Sequence, residues 1–261
     1  MSDAAPLSPA EAVVLLSPNL AKGHAAIKAV LLLLLTKGVL RIEQTDEPGM
    51  FRTKTIAHLR IAAEPNNPPP EIAALIEIVR AAQAEGGKIK DVVARANKAF
   101  GTGCPMYVTK FIYPALIARG LLTEKKVLFI RTVHLTLAGE ALQSQPKSDL
   151  FKANNIPKLL KSDPAQAAAV AAEIGSTILL SDKLPKHFKP LADAMKARGG
   201  DVGFVPVDSG GLQHGGFDVN SFDLGGLDFG SFDAGSFDAG IASFDAGLSD
   251  AGGGDSGSGH H

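Results

Sequence analysis

Tryptophan is absent from this 261-residue chain, tyrosine occurs twice and cysteine once. A single thiol excludes an intramolecular disulfide framework and fits a reducing compartment. Cys104 stands in Gly103-Cys104-Pro105, with no second cysteine and no histidine at metal spacing, so a small buried hydrophobe is expected rather than a reactive group. Long apolar runs are missing too. The most apolar stretch, Val30 to Leu35, lies between Lys28 and Lys37 and is far short of the roughly 20 residues that span a bilayer. The start Met1-Ser2-Asp3-Ala4-Ala5-Pro6 has no basic segment ahead of an apolar one, so no secretion signal is expected, and the cytoplasm is the expected compartment.

Basic residues are missing from the last part of the chain. All 26 Lys and Arg fall within residues 1–198, beside 17 Asp and Glu, whereas residues 199–261 hold 10 Asp and no base. The formal charge of −1 therefore conceals a basic body and an acidic tail. Such asymmetry points to an anionic partner for the body, or to a tail that pairs with the body itself.

Signatures of known chemistry are also lacking. Gly87-Lys88 resembles the end of a phosphate-binding loop, but Ala82 stands where its first glycine belongs and Ile89 where magnesium needs a hydroxyl. Ser144-Gln145-Pro146-Lys147 fits Ser-x-x-Lys yet is expected in a loop, where no helical turn would set the lysine against the serine. His24, His58, His134 and His187 are dispersed, without a spacing that binds metal. No catalytic residue, cofactor or metal ligand is assigned, and a non-enzymatic protein is expected.

What is present is a helical pattern interrupted by two hairpins. Ser8-Pro9-Ala10-Glu11 predicts a helix start with a capping box, Ser8 as cap and Pro9 in the first turn. That helix ends before Pro18. A second, buried on nearly all sides, spans about His24 to Thr36 with Gly38 as its left-handed cap. Val39–Gln44 and Phe51–Ile61 predict a hairpin around Asp46-Glu47-Pro48-Gly49, where Pro-Gly suits a type II turn. After the stiff linker Glu64–Pro70, helices are expected over Glu71–Glu85, Lys88–Phe100 and Met106–Arg119, the last kinked or restarted at Pro114. Short strands are expected at Leu121–Thr123, Val127–Ile130 and Val133–Leu135, then a helix capped by Thr136.

The two hairpin-bearing stretches share a signature. Leu34-Leu35-Thr36-Lys37-Gly38-Val39-Leu40 matches Leu116-Ile117-Ala118-Arg119-Gly120-Leu121-Leu122 in its order of apolar helix, basic residue, glycine and apolar strand start. Residues 71–142 resemble bacterial winged-helix regulators of the multiple-antibiotic-resistance and phenolic-acid-repressor type, through Arg119-Gly120-Leu121-Leu122 and Leu135-Thr136-Leu137-Ala138-Gly139. The whole chain resembles a group of uncharacterised bacterial proteins with paired helix-Gly-hairpin units ahead of a Gly-rich C-terminus, many of them membrane proteins. Its layout is more weakly similar to the Golgi phosphoprotein family of phosphoinositide binders, although no aromatic-plus-arginine pocket can be matched.

The expected fold class is mainly α with small β-hairpins. It comprises a winged-helix-like unit at 1–63, the Pro-rich linker 64–70, a second such unit at 71–145, a helical appendage at 146–198 and a disordered tail at 199–261. Within the appendage, helices are expected over Ala165–Ile174 and Lys183–Arg198, the latter broken by Pro185 and Pro190, and the whole is expected against the second unit. The tail repeats Phe-Asp at Phe217, Phe222, Phe232, Phe237 and Phe244 among Gly, Ser and Ala, and one Phe per few residues cannot build a core.

These features imply a binding module, with a protein-interaction or regulatory scaffold as the first expectation and a protein as partner. Nucleic acid is the alternative partner. A winged helix lays its third helix in the major groove and its hairpin along the backbone, which nominates Thr109, Lys110 and Arg119 on the helix with Lys125, Lys126 and Arg131 on the hairpin. In the first unit the equivalent cations are Lys22, Lys28, Arg52 and Lys54. A third reading is peripheral binding to anionic lipid through the bases of Lys183–Arg198.

Overall fold

A computed structural model describes residues 7–18, 23–48, 54–127 and 130–198. The Pro48-Gly49 turn in part, Lys22, Arg52 and the whole Phe-Asp tail lie outside the described residues. Helices dominate, joined by two antiparallel hairpins.

The first helix, α1 (Pro9–Leu16), starts as its sequence dictates. Ser8 Oγ accepts from the Glu11 amide at 3.2 Å, and the Ser8 amide donates to Glu11 Oε2 at 2.8 Å, so two orphan donors are satisfied reciprocally. The second, α2 (Gly23–Thr36), is buried at almost every position from Leu31 to Thr36. It closes with a paired 6→1 and 5→2 cap, Val39 N–H to Leu34 and Gly38 N–H to Leu35, both 3.0 Å, around Gly38 at φ 66°. The chain enters β1 (Leu40–Glu47), which pairs with β2 (Lys54–Ile61) from Leu40↔Ile61 to Glu47↔Lys54.

α3 (Pro70–Gln83) and α4 (Ile89–Phe100) come next, each with its apolar stripe buried. The Gly86-Gly87 break between them does more than end a helix. The Leu59 amide donates to Gly87 O at 2.8 Å and Lys88 forms an antiparallel bridge with His58, so this turn covers the edge of β2. The next helical path has three parts: α5 (Pro105–Tyr107), a π-turn (Val108–Ile112) and α6 (Tyr113–Ala118). The path restarts at Pro114 as expected: the proline stands in the first turn of α6, and the wider turn just upstream makes room for its ring. The end of α6 repeats the end of α2, with Leu121 N–H to Leu116 at 2.9 Å, Gly120 N–H to Ile117 at 2.9 Å and Gly120 at φ 69°.

Beyond it, two strands replace the three short ones expected: β3 (Leu122–Val127) and β4 (Ile130–Leu135), paired from Leu122↔Leu135 to Val127↔Ile130. The polar run Thr123-Glu124-Lys125-Lys126 belongs to the strand, because ladder hydrogen bonds and not side-chain burial hold an exposed hairpin end. Thr136 then caps α7 (Leu137–Ser162), its hydroxyl oxygen accepting from the Gly139 amide at 3.1 Å.

α7 runs unbroken through Pro146 and Pro157. Ser144–Lys147, expected as a loop, is therefore helical. Each proline removes one backbone bond, and packing compensates: Pro146 is buried, while Gln143 on the preceding turn donates to the Leu15 and Leu16 carbonyls at 2.7 and 3.2 Å. α8 (Pro164–Ile174) lies close to α7 through buried Ala167, Ala168 and Ala171. A 3-10 turn (Gly175–Leu180) and α9 (Phe188–Arg198) complete the body. Pro190 does not break α9 because it falls in the first turn, where amides lack intrahelical partners. The 146–198 stretch packs chiefly on α1 and α2 through α7 and the 3-10 turn, rather than on the second hairpin-bearing stretch, since the Leu15–Leu16 end of α1 needs its carbonyls satisfied and its apolar side chains covered. Buried side chains from Ala10 to Ala192 form one contiguous cluster.

Candidate interaction surface

The residues nominated for nucleic-acid contact meet different fates. Arg119, at the end of α6, turns inward: Nη1 donates to Glu11 Oε2 at 2.9 Å, and the two side chains are only 24% and 11% exposed. The carboxylate that completes the α1 capping box thus also binds the arginine that ends α6. A guanidinium held this way ties two distant helices together and is withdrawn from the phosphate role. Lys110 is exposed on the π-turn, its ammonium 5.2 Å from the Phe111 ring centroid. Thr109 is exposed and its hydroxyl donates to Met106 O. Lys125 is exposed on β3. Lys126 and Arg131 are cross-strand partners near the hairpin end, but their side chains, like that of Lys54, lie outside the described residues.

The exposed residues of the α5–α6 path are Pro105, Met106, Thr109, Lys110, Pro114, Ala115 and Ala118. Met106 is 54% exposed. One cation stands among apolar and small side chains. The opposite face is fixed firmly. Phe100, Tyr107 and Phe111 form an edge-on triad with centroids 5.3 to 6.1 Å apart, a geometry favoured by ring quadrupoles. Tyr107 Oη donates to Glu71 O at 3.3 Å; burial, with Glu71 nearby, holds this phenol well above its ordinary pKa. Burial likewise raises Glu71 and Tyr113, and Tyr113 Oη donates to Pro18 O at 2.6 Å. The face is therefore backed by packed aromatic rings and anchored by two tyrosine hydroxyls.

Cys104 begins this path in a left-handed conformation, φ 58°. Its thiol is buried, 3.5 Å from Asn97 Oδ1, and burial pushes its pKa up to about 12. A neutral, enclosed thiol is a poor nucleophile. Its backbone carries the structural role, for the neighbouring Gly103 carbonyl accepts from the His24 amide at 3.1 Å and the turn abuts the start of α2.

Among the described residues, no group of three His, Cys, Asp or Glu could hold a metal, and no helix is long and apolar enough to cross a membrane. Ser144 Oγ donates to Ala141 O while Lys147 Nζ donates to Gln143 Oε1. Compared with protein-family models, curated proteins and solved structures, the chain matches none.

Proposed function

We propose that this protein is a non-enzymatic binding module, a protein-interaction or regulatory scaffold whose tandem winged-helix-like units present the α5–α6 face to a protein partner. The carrying observation is the composition of that face: Met106, Pro114, Ala115 and Ala118 exposed around the single cation Lys110. Base readout in a groove calls for several polar or basic side chains on the inserted helix, whereas the cores of protein interfaces are enriched in methionine and depleted of charge. The order α3, Lys88 bridge, α4, α5–α6, β3, β4 supports the winged-helix reading. Its inter-helix bridge, however, pairs with the other unit's hairpin.

Exposed Lys125 on β3 favours the second reading, DNA binding through the hairpin. Duplex DNA titrated into the full chain and into Lys125→Glu, at several salt concentrations, separates the two. Under the protein-partner reading DNA binds negligibly even at low salt, and a photo-crosslinker placed at Met106 captures a partner that Ala115→Arg no longer captures. DNA binding that weakens steeply with salt and is lost in Lys125→Glu would replace this reading. Anionic vesicles in the same titration test the lipid alternative through exposed Lys183, Lys186 and Lys189.

A further inference from the structure

On another part of the surface, α1, α2 and α7 leave an open cleft of about 500 Å³, within the roughly 300–1,000 Å³ of sites that hold small ligands. Its origin lies in the sequence of α2. That helix is leucine-rich from Leu31 to Leu35 but carries Ala25 and Ala29 where it faces the cleft, so volume is left unfilled. Val13 and Leu16 of α1, Leu150 of α7 and Leu179 supply apolar walls. Charge is confined to the rim. Lys28, 20% exposed, meets Asp182 at 3.2 Å, and Asp182 is 90% exposed. Asp182 is the water-exposed half of this pair and is held weakly, so another carboxylate can take its place beside the mostly buried Lys28. A second ammonium, Lys147, stands one helical turn before Leu150; it bonds to Gln143, which itself caps the Leu15 and Leu16 carbonyls.

We propose that this cleft binds the chain's own Phe-Asp units, with Phe on the apolar walls and Asp at Lys28 and Lys147. The ligand required is an aromatic side chain followed at once by an acid, on a backbone of small residues and free of cations. Residues 199–261 offer that pattern at Phe217-Asp218, Phe222-Asp223, Phe232-Asp233, Phe237-Asp238 and Phe244-Asp245, with no Lys or Arg. The opposite charge balance of residues 1–198 adds attraction. The segment also begins in a suitable place, directly after α9, which packs against α7 and α8. From Arg198 to Phe217 the chain can extend to about 60 Å, whereas a body of this size has a radius of gyration of roughly 16 Å. Repetition raises occupancy, because each departing Phe-Asp leaves others tethered nearby. The site thus acts as an internal dock whose occupant a partner with the same Phe-Asp chemistry would displace. It is separate from the α5–α6 face, so either reading can fail without the other.

The test uses the full chain carrying Ser236→Cys and a nitroxide label. Cys104 is fully buried and does not compete for the reagent. Amide signals of Ala25, Lys28, Ala29, Leu150 and Leu179 are expected to lose most of their intensity, and to recover when the five Phe are replaced by Ala or when salt is raised. Lys28→Glu is expected to restore them as well, with signals remote from the cleft unchanged. Attenuation spread evenly over the surface, or surviving the Phe→Ala replacements, overturns the proposal. So does attenuation seen only between labelled and unlabelled chains in a mixture, which would assign the cleft to a second copy.

Discussion

The two helix-glycine-hairpin stretches are the same device put to different uses. Both helices end with the same pair of backbone bonds, Val39 to Leu34 in one and Leu121 to Leu116 in the other. Both chains then return to the same point, Ala62 N–H to Val39 O and Thr136 N–H to Leu121 O. Thereafter they diverge. The first hairpin is covered: Ile42 and Leu59 are a buried cross-strand pair, and the Gly87–Lys88 turn takes the edge of β2. At the corresponding register the second hairpin pairs Val133 with exposed Glu124. The segments that leave the two hairpins differ as well, a proline-rich linker after β2 and the long helix α7 after β4. One local sequence pattern thus specifies a helix exit and a strand entry, while burial of the hairpin is decided by what the chain brings to it afterwards.

The largest effects are expected where α2 and α7 begin against backbone. A Cβ on Gly23 would stand 1.9 Å from Cys104 O, and one on Gly139 2.0 Å from Leu121 O. No rotamer relieves a clash with main chain, so Gly23→Ala and Gly139→Ala should each lose about 3–5 kcal/mol of stability, read as a fall in the urea midpoint or in soluble yield. Gly139→Ala breaks the feature that the second stretch has and the first lacks, a helix docked on its own strand start. If that variant unfolds at the wild-type midpoint, the close approach of α7 to β3 is not what holds the two together.

A smaller effect separates the covered hairpin from the open one. His58 is 6% exposed; its Nε2 lies 2.7 Å from Thr45 Oγ1 and its Nδ1 2.7 Å from Gly86 O, so the ring staples β1 and the covering turn to β2. His134 is exposed, with Nε2 3.1 Å from Thr132 Oγ1. His58→Ala should cost about 2 kcal/mol, leaving a cavity and the half-buried Gly86 carbonyl without this partner, whereas His134→Ala should stay within about 0.5 kcal/mol. Matching losses in thermal unfolding would show that the second hairpin is also covered.

Much of this architecture is legible in the sequence because its signals are local. Ser8 with Glu11, Gly38, Gly120 and Thr136 each act on backbone groups within a few residues, and each stands in the structure as its type demands. Signals fail where the deciding contact is distant. Pro146 and Pro157 argue against a continuous α7, and only the docking of Gln143 onto α1, 128 residues away in sequence from Leu15, makes that helix tenable. Arg119 beside Gly120 suggests a phosphate contact from its neighbours alone, yet its carboxylate partner lies 108 residues away. Gly86-Gly87 marks a break but gives no hint that the break covers β2. The cleft is illegible for the same reason, being assembled from α1, α2, α7 and the residues around Leu179. Local physics sets the elements; residues far apart in the chain set the surface.

The smallest effects sharpen the equivalence of the two caps. Gly38 and Gly120 have φ of 66° and 69°, and a Cβ at either position would meet nothing within 4 Å. Substitution by Ala therefore adds left-handed backbone strain without a clash, roughly 1–2 kcal/mol, offset in part by the reduced freedom of the unfolded chain. Gly38→Ala and Gly120→Ala should each lose about 1 kcal/mol in urea unfolding, with an unchanged slope, and Asn at either site should lose less because its side chain tolerates this region. Equal losses mean that each cap acts alone, as the matching bond lengths suggest. A clearly larger loss at Gly120 would point to its carbonyl, which accepts the Thr136 hydroxyl at 2.6 Å. Tilting that peptide would disturb the cap of α7 along with the end of α6, and the two halves would then differ in how far a local strain travels.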